Sequence, residues 1–362
     1  MHFTRHILTL AFLVIAGARV RGDDAPAAPS YPDHARLLVV RDLVGRETPV
    51  GGLDAWRVRR AHILTHFQEV AGRLPDNERR VPLAVERSTP EDMLSYTRTK
   101  ITFATEPGDR VPAWLLIPKA RKSPAPAMLC LHQTTKLGKD EPVGRGGKPN
   151  LAYARELAER GYVAIAPDYP GFGDYRVDAY RLGYASATMK AIWNNLRAVD
   201  LLAALPEVDA GRIGVIGHSL GGHNAIFTAL FDDRLKVVVS SCGFNDFLHY
   251  FGGDIAGWSH AGYMPRLRNE YALDLHRVPF DFPELIGALA PRAFFTNSPT
   301  RDANFDVAGV KACIAAARPV YELLGAHDRL RAVYPDAEHD FPPEVRRAAY
   351  QFIDENLARA SR

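Results

Sequence analysis

Segments typical of buried β-strands alternate with segments typical of amphipathic helices over about 230 residues of this 362-residue chain. The apolar run at 125–133 has the composition of a strand buried on both faces, whereas 150–161 has helical spacing and a glycine stop. Repeated alternation of this kind favours an α/β architecture, a doubly wound, mostly parallel sheet with helices on both faces. Functional groups in such sheets gather beyond the carboxyl ends of the strands.

The other elements continue this order. Further strands are predicted within 162–174, 212–217, 235–243, 291–298 and 330–340, and further helices at 186–208, 220–231, 307–326 and 342–360. Before them, 93–105 and 110–119 alternate in polarity around the turn "EPGD", which predicts a leading antiparallel hairpin.

A helix is predicted at 53–75, within an N-terminal extension that spans 23–92. Its arginines Arg57, Arg59 and Arg60 are expected to form a solvated face. His62 and His66 are four residues apart, but Ile63 stands where a zinc protease needs glutamate. We therefore expect a packed or surface helix and no metal site.

The N-terminus has the layout of a secretory signal peptide at 1–22. Arg5 precedes the apolar run 7–18, and the chain then turns abruptly polar, with cleavage expected near Gly22. An uncleaved anchor and a buried helix are the alternatives. No later segment approaches membrane-span length. We expect an exported protein, periplasmic or extracellular, without stable membrane insertion after cleavage.

Several classes of function are disfavoured by the net charge, the spacing of the cysteines and the residues around Gly147. A net charge of +3 does not suggest nucleic-acid binding. Cys130, Cys242 and Cys313 lack metal-ligand spacing and are expected to be mainly small core residues. Gly147-Lys148 is followed by proline, which rules against a nucleotide site. We therefore expect no cofactor and no metal; the oligomeric state stays undetermined.

Residues 244–288 interrupt the alternation and contain nine aromatic residues. This segment is expected to be a cap beside the site, with Trp258 and Tyr263 as candidate substrate-binding residues. A side lobe with its own aromatic core is the alternative, and both can hold.

The stretch "GVIGHSLGGHNA", residues 214–225, places Ser219 between Gly217 and Gly221 where a predicted strand meets a predicted helix. A nucleophile elbow needs this placement, because a sharp turn exposes the serine hydroxyl above the sheet. The helix N-terminus adds partial positive charge where an oxyanion would form. A glycine-rich turn without chemistry is the alternative.

A serine hydroxyl needs a base to take its proton, and a base needs an orienting acid. His339 follows the strand-like "LRAVY", at the expected carboxyl edge of the sheet, and is the favoured base. The other histidine candidates are His327, His223 and His260.

The acid is expected in the turn after the strand at 291–298. Asp302 lies in that turn and is favoured, whereas Asp306 can cap the helix that starts at 307. Asp246, after the strand at 235–243, is a third candidate.

The motifs "LCLHQ" (129–133), "DYPGFGD" (168–174), "GHSLGG" (217–222), "TRD" (300–302) and "AEHD" (337–340) resemble the α/β-hydrolase superfamily in order and spacing. The branch they resemble contains dienelactone hydrolases and acetyl xylan esterase-like enzymes, with prolyl oligopeptidase-type peptidases as cousins. The resemblance implies an α/β-hydrolase catalytic domain at 93–360 that carries the insertion 244–288.

The resemblance also implies a catalytic triad of Ser219, Asp302 and His339, and an oxyanion hole. Leu220 would supply one N–H of that hole. The loop after the strand at 125–133 would supply the other, but here relatives often have His-Gly and this chain has His132-Gln133-Thr134. The second donor is therefore Gln133 or Thr134, and His132 is expected to brace the loop.

These inferences predict an exported serine carboxylic-ester hydrolase. Its substrate would be a small-molecule or polysaccharide ester, carrying acetyl, feruloyl or uronoyl groups. A prolyl oligopeptidase-like serine peptidase is the nearest alternative. A catalytically silent carbohydrate-binding protein on the hydrolase fold is the alternative from another class.

Overall fold

The computed structural model describes residues 28–120 and 124–359. The predicted signal peptide, 1–22, lies outside these residues. Within the described ranges, no helix combines the length and the apolar character needed to cross a membrane.

A small antiparallel pair precedes the main sheet. β1 (Val39–Arg41) pairs with β2 (Glu47–Pro49), and α1 (Leu53–Ala71) follows. The ten strands of the main sheet are β3 (Glu86–Arg87), β4 (Glu91–Asp92), β5 (Tyr96–Glu106), β6 (Asp109–Pro118), β7 (Ala125–Leu131), β8 (Val163–Pro167), β9 (Val208–His218), β10 (Leu235–Ser241), β11 (Ala293–Asn297) and β12 (Leu330–Val333). The remaining α-helices are α2 (Tyr153–Glu159), α3 (Ala187–Ala204), α4 (Leu220–Phe231), α5 (Arg266–Asn269), α6 (Phe282–Ala288), α7 (Val307–Leu323) and α8 (Pro343–Arg359).

The strand order of the main sheet is β12-β11-β10-β9-β7-β8-β6-β5-β3, with β4 paired to β5 beside this path. Strands β7 to β12 run parallel, whereas β5 and β6 form the predicted antiparallel hairpin and β6 joins β8 antiparallel. All residues of β8 and β11 are buried, as expected where helices cover both faces. The predicted α/β-hydrolase fold is confirmed.

Two apolar cores lie on opposite faces of the sheet. One contains α2 and α8, and the other contains α1, α3, α4, α6 and α7. Helix α4 is buried along almost its whole length because it lies between the sheet and the insertion. Because β7, β9, β10 and β11 run parallel, their carboxyl ends lie at one edge of the sheet, near the start of α4.

The expected solvated face of α1 is wrong for Arg59. Arg57 is exposed and pairs with Asp54 at 2.9 Å. Arg59 is fully buried, pairs with Glu284 of α6, and holds its guanidinium 3.5 Å from the ring centre of Tyr31. A charge tolerates such burial only when a partner compensates it, and that partner is 225 residues away in sequence.

The insertion 244–288 has a small aromatic core and also contributes side chains to a cavity. Phe247 packs against Phe280 and Phe282 with ring centres 5.6 and 5.7 Å apart, which forms a small aromatic core. Trp258 and Tyr263 of the same segment line a cavity that also contains Ser219.

Candidate active site

Ser219 occupies the turn between β9 and α4 with a backbone φ of 54° and ψ of −117°. This positive φ is strained for a residue with a side chain, and it is typical of the serine in a nucleophile elbow. The Ser219 N–H donates to the Ser241 carbonyl at 2.8 Å, which holds the turn against β10.

The two flanking glycines are required by close backbone approach. A Cβ on Gly217 would lie 2.1 Å from the Gly221 carbonyl oxygen. A Cβ on Gly221 would lie 2.0 Å from the Leu131 carbonyl oxygen. Any side chain at either position would therefore displace the backbone that supports Ser219.

His339 lies in the loop between β12 and α8, with Nδ1 2.9 and 3.0 Å from the two carboxylate oxygens of Asp302. An ionised carboxylate only accepts, so Nδ1–H donates and Nε2 is left as the basic nitrogen. Asp302 is 9% exposed, and its Oδ1 also accepts from the Asn304 N–H at 2.8 Å. The carboxylate is therefore fixed in position against the imidazole.

The loop that carries His339 is tied to the sheet by Asn297, which sequence analysis did not single out. Its Nδ2 donates to the Asp340 carbonyl at 2.9 Å and to Ser241 Oγ at 2.8 Å. Lys148 Nζ donates to the His339 carbonyl at 3.4 Å. The sequence feature that could have indicated Asn297 is its place as a polar residue at the carboxyl end of the apolar strand β11.

The other acid and base candidates have different partners. Asp306 Oδ1 accepts from the Ala308 N–H at 2.8 Å and caps α7. Asp246 pairs with His249 Nδ1 at 2.6 Å. His327 lies in a short 3₁₀ helix before β12, and the His260 ring lies against Tyr263 in the insertion.

Ser219 and His339 line the same open cavity, whose empty space, including the part open to solvent, is about 720 Å³. No lysine, arginine, aspartate or glutamate occurs among the described residues that line it. The other lining residues are Gln133, Thr134, His223, Tyr250, Gly257, Trp258, Tyr263, Asn304 and Phe305. Such a cavity suits an uncharged ligand with apolar surface.

The loop after β7 forms one wall of this cavity. His132 is buried, its Nε2 accepts from the Tyr169 N–H at 2.9 Å, and its Nδ1 donates to the Gln133 carbonyl at 2.6 Å. Burial lowers the pKa of His132, which matches a neutral ring in this role. His132 thus braces the loop.

The side chains of the two candidate oxyanion residues in that loop are engaged elsewhere. Gln133 Nε2 donates to Glu141 at 3.0 Å, and Thr134 Oγ1 lies 3.1 Å from the Tyr263 hydroxyl. Their backbone N–H groups are therefore the better candidates. On the opposite side, Leu220 is the first residue of α4, where N–H groups have no partner within the helix.

Cysteine and histidine side chains lie together beneath the site. The donor atoms of His218, Cys242 and His339 are all within 4.8 Å of one another, close enough to share a metal ion. Burial raises the pKa of the Cys242 thiol well above its usual range and lowers the pKa of His218. A metal there would have to displace the thiol proton and compete with Asp302 for His339. All three cysteines are buried and free.

The chain matches known proteins over most of its length. It is 28% identical to the Bacillus subtilis protein YtaP over 300 residues, which cover 79% of this chain and 96% of YtaP. It is 26% identical over 172 residues to a 4-O-methyl-glucuronoyl methylesterase of Sodiomyces alcalophilus, covering 41% of this chain and 33% of that protein.

A solved structure and a family model also match this chain. A glucuronoyl esterase from Solibacter usitatus superposes with a TM-score of 0.73 at 22% identity, covering 91% of this chain and 99% of that one. This likeness shows the α/β-hydrolase fold. The model of the prolyl oligopeptidase family, Peptidase_S9, matches residues 150–359. The chain therefore belongs to the prolyl oligopeptidase family and is a serine hydrolase of the α/β-hydrolase type.

Proposed function

We propose that this protein is a carboxylic-ester hydrolase that uses Ser219, His339 and Asp302 as a catalytic triad. In the first half-reaction, Ser219 Oγ attacks the ester carbonyl carbon while His339 Nε2 takes the hydroxyl proton. The imidazolium then gives this proton to the leaving alcohol, and an acyl-enzyme remains. In the second half-reaction, water attacks the acyl carbon, His339 again takes and returns a proton, and the free acid leaves.

The remaining groups have supporting roles in this proposal. Asp302 holds His339 in the tautomer with a basic Nε2 and stabilises the imidazolium as it forms. The N–H of Leu220 and a backbone N–H of Gln133 or Thr134 would donate to the oxyanion. Preorganised donors of this kind stabilise charge that appears only in the transition state.

The proposal is carried by one observation. Ser219, which has a strained backbone at the strand–helix turn, lines the same cavity as His339. The Nδ1 of His339 is hydrogen-bonded to the buried carboxylate of Asp302. Strain of this kind persists only where the surrounding structure holds it, and it clusters at functional sites.

We further propose a polysaccharide-linked ester as substrate, with an acetyl, feruloyl or uronoyl acyl group. Two features support this class. The cavity contains the aromatic rings of Tyr250, Trp258 and Tyr263, which can pack against the apolar face of a sugar or an aryl group. Relatives with the same fold include esterases whose names specify glucuronoyl groups.

Hydrolysis of a panel of esters tests the proposal. Acetylated xylan, a feruloyl ester and a glucuronoyl ester are incubated with wild type and with Ser219→Ala. We expect wild type to hydrolyse at least one of them and the variant to lose about 10⁴- to 10⁶-fold in turnover. Equal turnover by both proteins would overturn the serine mechanism. Sugar binding without any hydrolysis would support a silent carbohydrate-binding protein instead.

Peptide hydrolysis is the second candidate function, because the family model is that of the prolyl oligopeptidases. The same panel therefore includes proline-containing peptides. Cleavage of these peptides with a kcat/KM above that of every ester would replace the esterase proposal with a peptidase.

We also propose that residues 1–22 are a signal peptide and that the catalytic domain at 93–360 acts after export. N-terminal sequencing of protein secreted by an expressing cell tests this. A mature chain that begins near residue 23 is expected, and an intact Met1 in the exported fraction would contradict it.

A further inference from the structure

Three polar side chains form a row across the carboxyl ends of β9, β10 and β11. In the parallel register, Ser241 pairs with His218 on one side and with Asn297 on the other. Residues paired in register point to the same face of a sheet, so the three side chains are neighbours. All three are fully buried. His218 directly precedes Ser219, so the row begins at the nucleophile turn.

The hydrogen bonds along this row run in one direction. The Asp340 carbonyl only accepts, so the Asn297 atom 2.9 Å from it is the amide nitrogen, which also donates to Ser241 Oγ at 2.8 Å. The Ser241 hydroxyl donates in turn to His218 Nδ1 at 2.9 Å, because the sulfur of Cys242 is a weak acceptor 3.9 Å away. His218 is therefore a neutral ring with its proton on Nε2.

The row contacts the parts of the chain that carry the proposed nucleophile and the proposed base. The Ser241 carbonyl accepts from the Ser219 N–H at 2.8 Å. Asn297 holds the carbonyl of the residue that follows His339. The His218 ring lies edge-on against the His339 ring, with ring centres 4.8 Å apart and planes at 62°. His339 is thus held through its backbone by one end of the row and through its ring by the other.

Packing alone does not account for a hydroxyl at the centre of this row. The preceding buried residues Val237–Val239 of β10 are all apolar. Removing the hydroxyl of Ser241 would leave the Asn297 amide and His218 Nδ1 buried with a lost partner, which is unfavourable. Proton transfer is sensitive to such changes, since a displacement of about 1 Å in a catalytic group can cost about a hundredfold in rate.

We propose that Ser241 is a positioning residue of the triad: its hydroxyl accepts from Asn297, donates to His218, and thereby holds the His339 imidazole where it can take the proton of Ser219. The inference rests on the proposed roles of Ser219 and His339. Ser241 is not among the described residues that line the cavity, so it acts through its neighbours and not on the substrate.

The kinetic test compares Ser241→Ala with Ser240→Ala on 4-nitrophenyl acetate. Ser240 is the matched control, because it is the preceding residue of β10, is equally buried, and its Oγ makes no hydrogen bond among the described residues. We expect Ser241→Ala to lower kcat about tenfold to a hundredfold with KM changed by less than about twofold. Ser240→Ala should have the wild-type kcat. An unchanged kcat in Ser241→Ala, or an equal loss in both variants, would overturn the positioning role.

Proton NMR of imidazole N–H groups separates positioning from a loss of stability, and it needs no substrate. The Nδ1–H of His339, bonded to Asp302, should give a low-field resonance that is absent from Asp302→Asn. We expect this resonance to be unchanged in Ser240→Ala and shifted or broadened in Ser241→Ala, while the methyl spectrum of both variants stays that of a folded protein. An unchanged resonance in Ser241→Ala would contradict the proposal. If the resonance responds but wild type hydrolyses no ester, only the proposed function fails.

If Ser241→Ala does not fold, the wild type decides. Nitrogen-15 NMR of protein labelled at histidine identifies which ring nitrogen of His218 carries the proton, with the residue assigned through its backbone. A proton on Nε2 and a bare Nδ1 support the donation from Ser241. A proton on Nδ1 would reverse that hydrogen bond and overturn the proposal.

Discussion

Asp302 and Asp306 are four residues apart, yet their carboxylates make different contacts. Asp302 accepts from His339, whereas Asp306 caps α7. We expect Asp302→Asn to lower turnover about 10³- to 10⁴-fold with an unchanged thermal melt, because the amide favours the wrong imidazole tautomer. Asp306→Asn, its control, should cost about 1 kcal/mol of stability or less and leave ester hydrolysis nearly unchanged. The reverse order of activity losses would remove Asp302 from the proposed triad.

His66 on α1 is expected to make the free energy of unfolding decrease as the pH falls. Burial lowers its pKa to about 4, from about 6.5 in an unfolded chain. Between these values the unfolded state binds more protons, so stability is fully present above pH 6.5 and is lost as the pH falls.

We expect this residue to contribute about 1–2 kcal/mol to the loss of unfolding free energy between pH 7 and pH 5. Urea unfolding of wild type and His66→Phe at both pH values measures it. The variant should lose less stability than wild type across this interval, and an identical loss would contradict the assignment.

The insertion 244–288 contains one tyrosine that lines the cavity and one that does not, so the cavity wall can be tested with a matched control. Tyr263 lines the cavity and contacts Thr134, whereas Tyr271 of the same segment does not line it. We expect Tyr263→Ala to lower kcat/KM for a feruloyl or sugar ester by about tenfold and for a small acetate ester by less than about threefold. Tyr271→Ala should leave the ratio of the two rates unchanged. A proportional loss on both esters would make Tyr263 a structural residue.

Elements of the fold were predictable because strand and helix each impose a local hydrophobic period. The hairpin, the parallel strands and the strand–helix junction at Ser219 all follow from it. Boundaries were less certain: a helix predicted from 150 begins as α2 at Tyr153, because Pro149–Leu151 forms a 3₁₀ turn. The role of Asn297 could not be read from sequence, since its hydrogen-bond partners belong to other elements that only folding brings together.

For the molecule as a whole, the buried pair between Arg59 and Glu284 joins the N-terminal extension to the insertion. Both side chains are fully buried, and His34 also contacts Glu284, with Nδ1 2.8 Å from Oε2. Burial of Arg59 was not predictable, because its helical position alone indicates a polar face and its compensating charge lies far away in sequence.

We expect Arg59→Met to lower the free energy of unfolding by about 3–5 kcal/mol, because it leaves a buried carboxylate with less compensation. Arg57→Met on the exposed side of α1 is the control and should change it by less than about 1 kcal/mol. Urea unfolding measures both. Equal small effects would mean that the extension contributes little to the stability of the catalytic domain.

Covalent labelling tests whether Ser219 is a nucleophile activated by His339. Wild type, Ser219→Ala and His339→Ala are treated with a fluorophosphonate, and intact mass and peptide mapping locate the adduct. We expect a single adduct on Ser219 in wild type, none in Ser219→Ala, and labelling slowed by several orders of magnitude in His339→Ala. An adduct on another residue, or equal labelling of wild type and Ser219→Ala, would contradict it.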